Sequence, residues 1–197
     1  MKQNYVLIDY ENVQPEAISA LDQEYFKVIV FVGATQSKVT YEVAIAMQKL
    51  GNKAEYIKIA GNGPNALDFH IAFYIGRISA KEPDTYFHIV SKDTGFDPLI
   101  AHLKSMKIPV LRSKDVSEIQ IVKASTSKTI EEKINVVTDY LKSRGTAVPK
   151  TIKTLTSTIQ SVFQKNIPEA EQETIIAAMQ EQGAIAVVGS KVSYNLN

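Results

Sequence analysis

Asp9, Asp68 and Asp93 are the residues of this chain whose types and spacing suit chemistry. Asp9 opens the run Asp9, Tyr10, Glu11, Asn12 directly behind the apolar stretch YVLI. Asp93 stands in Ser91, Lys92, Asp93, Thr94, Gly95, Phe96, Asp97, Pro98, again behind an apolar run, and Asp68 lies three residues past Asn65 at the head of a helical pattern. A carboxylate directly after a buried strand is costly unless it is paired, hydrogen-bonded or metal-bound. Carboxylates that converge repel one another unless a cation sits among them. An oxygen-only set without His or Cys suits Mg²⁺ or Mn²⁺.

Several of these residues also have a purely structural reading. Asp97 before Pro98 has the pattern of a helix N-cap followed by proline at the first helical position. Asp68 fits the acidic place of a capping box begun by Asn65. Asn12 suits a turn, and Glu11 reads as a solvated loop acid rather than a ligand. Asp9 and Asp93 are left without an equally simple alternative.

The elements that must position these side chains are legible as short apolar runs at 5–9, 27–33, 54–60, 85–91 and 108–112. Continuous rather than alternating apolar runs indicate strands buried on both faces, as in a parallel sheet covered by helices. Leu67, Ile71, Tyr74 and Ile78 recur at helical spacing within 64–80. Strand followed by helix, repeated, predicts an α/β layer fold with a parallel sheet flanked by helices. In such open sheets ligands bind beyond the carboxyl ends of the strands, where the acids fall.

The pattern changes near residue 125. The polar stretch KASTSKT reads as a linker between domains at 1–124 and 129–197. Beyond it, Ile130, Ile134, Val137 and Leu141 predict a helix over 129–143, stopped by Gly145. Pro149 opens a further segment, Pro168 begins a third helix with acids in its first turns, and 184–194 reads as a hairpin turning at Gly189 and Ser190. Three helices closed by a hairpin predict a small winged-helix-like domain. Residues 140–165 carry five bases and no acid, so a bound polyanion is expected to touch Lys150 and Lys153 there. An ordinary solvated face is the alternative.

Composition narrows the classes further. The 197 residues carry a net charge of +1, with 45% hydrophobic and 22% charged side chains, as in soluble globular proteins and unlike disordered or collagenous chains. The absence of cysteine excludes disulfides, thiolate zinc sites and cysteine nucleophiles. Neither a signal peptide nor a membrane span is legible at the start of the chain, which predicts a cytoplasmic protein. No dinucleotide fingerprint or P-loop follows the first strand, and GNGPN at 61–65 reads as a turn. Glu11 stands where a haloacid-dehalogenase phosphatase would want aspartate. His70, His88 and His102 read as packing positions, and nothing arranges a Ser-His-Asp triad.

VLIDYENV at 6–13, Asp68 heading an apolar helix, and IVSKDTGFDPLI at 89–100 together resemble the PIN-like nucleases, specifically their NYN branch, over roughly residues 3–125. The resemblance implies metal-dependent cleavage of RNA. It matches Asp9, Asp68 and Asp93 to metal-binding acids, Asn12 to the asparagine that orients the site, and Asp97 to a further acid. Phe69 departs from members that carry a second acid after Asp68, which implies weaker metal affinity. Bound Mg²⁺ or Mn²⁺ would polarise a phosphodiester and lower the pKa of a coordinated water. Lys38 and Lys92 are candidates to hold neighbouring phosphates, with solvated surface lysines as the alternative. RNA is the expected partner, with a second copy of the chain as a further one and no membrane. The rival reading is an RNA-binding protein without turnover.

Overall fold

A computed structural model describes residues 2–196. The chain forms two compact units that divide after Ile119. The first is built on five parallel strands: β1 (Asn4–Asp9), β2 (Phe26–Val32), β3 (Ala54–Lys58), β4 (Tyr86–Val90) and β5 (Val110–Ser113), in the order β3-β2-β1-β4-β5. The helices α1 (Tyr41–Leu50), α2 (Ala66–Lys81) and α3 (Phe96–Ser105) lie between them in sequence. The α/β expectation therefore holds.

The sheet is apolar on both faces, as its continuous apolar runs predict. Tyr5, Leu7, Ile29, Phe31, Phe87 and Ile89 form one core with Leu67, Ile71, Ile75 and Ile78 of α2 and Phe96, Ile100 and Leu103 of α3. Val6, Ile8, Val28 and Val30 alternate onto the opposite face and are equally buried. Burial of each such side chain stabilises by about 1.5–3 kcal/mol, so the sheet is held by the covering of both its faces. The register sets Ile8 beside Val90 and Asp9 beside Phe31, so β1, β2 and β4 end together. The chain runs outward from β1 through β2 and β3, then returns to β4, so the order reverses between β1 and β4. That is the crevice where open sheets bind ligands.

Local chemistry departs from expectation at three points. Asn65 sits at φ 61° and its side chain makes no capping bond, so the capping box with Asp68 does not form. Asp97 falls inside the first turn of α3, after Gly95 at the cap position, so it is not the N-cap. His102 is exposed on α3 rather than packed. His88 does pack: it is 5% exposed, its Nε2 lies 3.0 Å from Asn4 Oδ1, and burial pushes its pKa down to about 4.

The second unit contains α4 (Gln120–Thr126), α5 (Ile130–Ser143), α6 (Ile152–Val162), α7 (Glu169–Glu181) and the antiparallel strands β6 (Ile185–Val188) and β7 (Lys191–Tyr194). The stretch read as a linker is helical through Thr126. Ser125, Thr126 and Ser127 turn their hydroxyls onto carbonyls three or four residues back, which lets polar residues occupy a helix end. The expected three helices are present with α4 ahead of them. Capping boxes open α5 at Thr129 and α6 at Thr151. Ile134, Val137, Leu141, Leu155, Ile159, Ile175 and Met179 share one core with Ile185 and Val192 of the hairpin. Thr151 also makes an antiparallel bridge to Lys191.

Candidate active site

Asp9 is the last residue of β1 and only 1% exposed. Its burial is tolerated because both oxygens accept hydrogen bonds. The Asn12 backbone N–H donates to Oδ1 at 3.2 Å, while Asn12 Nδ2 and Ser91 Oγ donate to Oδ2 at 2.6 and 2.8 Å. Asn12 thus orients Asp9 directly, in the place its sequence position suggests. Ser91 is fully buried just past β4, and its hydroxyl also accepts from the Asp93 backbone N–H at 3.0 Å. Asp93 Oδ1 accepts from the Gly95 backbone N–H at 2.7 Å. A Cβ at residue 95 would come within 3.1 Å of that oxygen.

Asp68, in the first turn of α2, is drawn into the same group. Its carboxyl pKa is raised above the ordinary value, first by burial and then by the charges of Asp9, Asp93 and Glu11. The fold thus puts Asp68 within electrostatic reach of Asp9 and Asp93. It also adds a fourth acid. Glu11 is not simply a solvated loop residue: its side chain lies over Gly33, where a Cβ would fall 1.7 Å from Glu11 Oε1. A glycine ending a strand-like run marks such close approaches, so Gly33 in VFVG was the available signal. Phe69, in place of a second acid, faces solvent at 70% exposure.

Asp97 is placed differently. Both its oxygens accept from Arg112 on β5, from Nε at 2.9 Å and Nη2 at 3.2 Å, and this pairing holds its carboxyl below the ordinary range. Arg112 Nη1 also donates to the Ser91 carbonyl at 3.2 Å, tying the pair to the strand end that carries the site. Lys38 and Lys92 are exposed, and Lys38 lines a cleft with Gln36, Tyr56 and Lys58. Lys150 and Lys153 are exposed on the second unit, before and within α6.

Among the described residues no three His, Cys, Asp or Glu side chains gather closely enough to hold a metal ion. Asp9, Asp68 and Asp93 therefore interact through their charges without closing into a set of ligands. Asn12, Ser91 and Gly95 satisfy the oxygens of Asp9 and Asp93 instead. The donor chemistry still fits a hard divalent cation. The group is all carboxylate oxygen, and burial first, then the charges of Asp9, Asp93 and Glu11, raises the Asp68 carboxyl pKa.

Comparison with known families gives a model of the PIN domain matching residues 3–113, more than half of the chain and the whole of the parallel sheet. No curated protein matches the chain. PIN domains are in general a nuclease fold that uses divalent metal ions and acts on RNA. Since the match takes in more than half of the chain and all five parallel strands, with the ends of β1 and β4 and the head of α2 among them, the chain belongs to the PIN domain family.

Proposed function

We propose that the first unit is a divalent-metal-dependent ribonuclease of the NYN branch, hydrolysing RNA phosphodiester bonds at the cluster of Asp9, Asp68 and Asp93. The observation that carries this reading is the joining of Asp9 and Asp93, from the ends of β1 and β4, through the buried Ser91 hydroxyl; Asp68 lies within reach of their charge, its carboxyl pKa being raised first by burial and then by Asp9, Asp93 and Glu11. Carboxylates assembled at a switch point without a counter-charge are suited to receiving one. Asp9, Asp68 and Asp93 would hold Mg²⁺ or Mn²⁺, in part through water, because Mg²⁺ keeps several of its waters in protein sites. Bound there, the ion supplies a polarised phosphodiester and a more acidic water. The chain's own residues set the geometry. Asn12 and Ser91 fix the Asp9 carboxylate, Gly95 N–H fixes Asp93, and Asp97 acts through Arg112 as a positioning residue rather than a ligand. Lys38 and Lys92 lie in the loops after β2 and β4, placed to meet phosphates.

The second unit we read as a winged-helix-like domain that holds RNA through Lys150 and Lys153. The hairpin, together with the Thr151–Lys191 bridge at the start of α6, supports this reading. RNA binding without cleavage is the second reading of the whole chain, and Phe69, in place of a second acid after Asp68, favours it.

Incubating a single-stranded RNA with Mg²⁺, Mn²⁺ or EDTA separates the two readings. Cleavage with metal, abolished by EDTA and by Asp93→Asn, is expected; Asn retains an oxygen for the Gly95 N–H and leaves the fold intact. Binding without metal-dependent cleavage would establish the second reading. For the second unit, RNA binding over a salt series should weaken in a Lys150→Glu, Lys153→Glu variant. Its log–log salt slope should fall by about 1–2, since each contact to single-stranded phosphate contributes about 0.7. An unchanged slope would remove RNA from this surface.

A further inference from the structure

Helix α2 turns to solvent an aromatic face that the proposed chemistry does not use. Phe69 and Phe73 are 70% and 61% exposed. At i and i+4 they stand on one face of the helix, with their Cβ atoms about 5–6 Å apart. Single exposed apolar side chains are ordinary, but two rings in succession make a patch of the kind that marks a contact surface. The same row of the helix continues through Arg77 and Lys81, both exposed. No acid occurs from Phe69 to Lys81, and neither cation forms a salt bridge among the described residues. The adjacent row is Asp68, Ala72, Gly76 and Ala80, in which nothing after the acid is larger than a methyl group. A Cβ at residue 76 would meet no atom within 4 Å, so an open shelf borders the rings.

This face begins at the acids and is braced by the core. Asp68, which lies within reach of the charges of Asp9 and Asp93, immediately precedes Phe69, so the first ring stands one residue from the cluster. Tyr74 packs edge-on against buried Phe31, the residue paired with Asp9 in the sheet register, with 5.3 Å between ring centroids. The Arg77 guanidinium in turn lies 4.4 Å from the Tyr74 ring centroid and 5.9 Å from that of Phe73. A cation already held on rings has less freedom to lose when it meets a phosphate. From Phe69 to Lys81 the row runs along about 18 Å of helix. Rings followed by cations, with no acid among them, supply the stacking platform and charge track that single-stranded nucleic acid uses. A second copy of the chain fits this face less well. Paired across a two-fold axis, the row would set four cations along one seam with no carboxylate between them, whereas RNA brings the opposite charge.

We propose that the outer face of α2 is a track for single-stranded RNA that leads to the acids. Phe69 and Phe73 stack bases, Arg77 and Lys81 meet phosphates farther along the helix, and the shelf at Ala72, Gly76 and Ala80 admits the strand beside the rings. The track rests on the ribonuclease reading and fixes the substrate class as an unpaired strand, because the bases of a duplex are stacked on one another and offer no free face to these rings.

The test is equilibrium binding of a fluorescent single-stranded RNA by the full chain in EDTA, with cleavage of the same RNA in Mn²⁺ read separately. Phe69→Ala and Phe73→Ala should each weaken binding by about tenfold, within the range of one lost stacking contact, while Phe73→Tyr keeps the ring and the affinity. Both rings are exposed, so the melting temperatures of the variants should match that of wild type. Arg77→Gln and Lys81→Gln should each lower the log–log salt slope by about 0.7. A duplex of the same sequence should bind wild type and Phe73→Ala alike, and an equal loss on the duplex would overturn the stacking role. Single-stranded RNA bound equally by wild type and both alanine variants overturns the track, and the ribonuclease reading stands if wild type cleaves. A dimer that Phe73→Ala dissociates, with RNA affinity unchanged, gives the face to a second copy and overturns the track. Binding weakened in the variants, with no Mn²⁺-dependent cleavage by wild type, overturns the ribonuclease reading alone and leaves the face as an RNA-binding surface.

Discussion

The Ser91 hydroxyl donates to Asp9 Oδ2 at 2.8 Å across 82 residues of sequence, and Ser91 Oγ in turn accepts from the Asp93 N–H. One fully buried serine thus sets the orientation of one acid and the backbone of another. Ser91→Ala leaves Asp9 Oδ2 with Asn12 alone and strands the Asp93 N–H. The expected cost is about 1–3 kcal/mol of stability, measured by urea denaturation. RNA cleavage should fall by about tenfold or more, because a small misplacement of a catalytic group is expensive. Unchanged cleavage with reduced stability would make Ser91 a purely structural residue.

Asp68→Asn should separate stability from activity. The aspartate is charged against burial and three other acids, so in metal-free buffer at neutral pH its neutralisation should raise the melting temperature, by about 1–2 °C for a partly solvent-screened group. Wild type should be further stabilised by Mn²⁺ through preferential binding to the folded state. The variant should lose that gain and its cleavage. A melting temperature that falls, with the Mn²⁺ response kept, would place Asp68 outside the metal site.

Gly33→Ala tests the acid that the sequence reading set aside. A methyl group at residue 33 occupies the path of Glu11, but the glycine has no positive φ and the obstacle is a flexible side-chain end. Stability should change by less than about 1 kcal/mol. Cleavage should drop to the level of Glu11→Gln, because both variants remove the same charge from the cluster. Full activity in both would return Glu11 to the status of a loop acid.

His88 makes the fold sensitive to acid independently of the site. Burial lowers its pKa from 6.5 to about 4, so the unfolded chain takes up the proton first as pH falls. The contribution of neutral His88 is complete above about pH 6.5 and is lost as pH falls toward 4, by about 3 kcal/mol in all. His88→Gln keeps a donor for Asn4 Oδ1 and does not titrate. Denaturant midpoints across pH 4–7 should therefore flatten in the variant, and an unchanged pH dependence would assign the acid sensitivity to other groups.

The strands and most of the helices are legible in local periodicity, and the three aspartates in their places beside those runs. Continuous apolar runs mark two-sided burial, and Asp9 and Asp93 are conspicuous because a carboxylate at the end of such a run needs a partner. Which partner each acid takes follows from the three-dimensional packing. The strand order set β1 beside β4, joining Ser91 to Asp9. The approach of β5 to α3 gave Asp97 to Arg112, and the packing of the β1 loop over Gly33 brought Glu11 into the cluster. The left-handed turn at Asn65 likewise prevented a capping box that spacing alone allowed. A capping box or a turn depends on residues a few positions apart, whereas these pairings depend on which distant segments the sheet and its crossovers bring together. That is decided by the summed burial of the whole core.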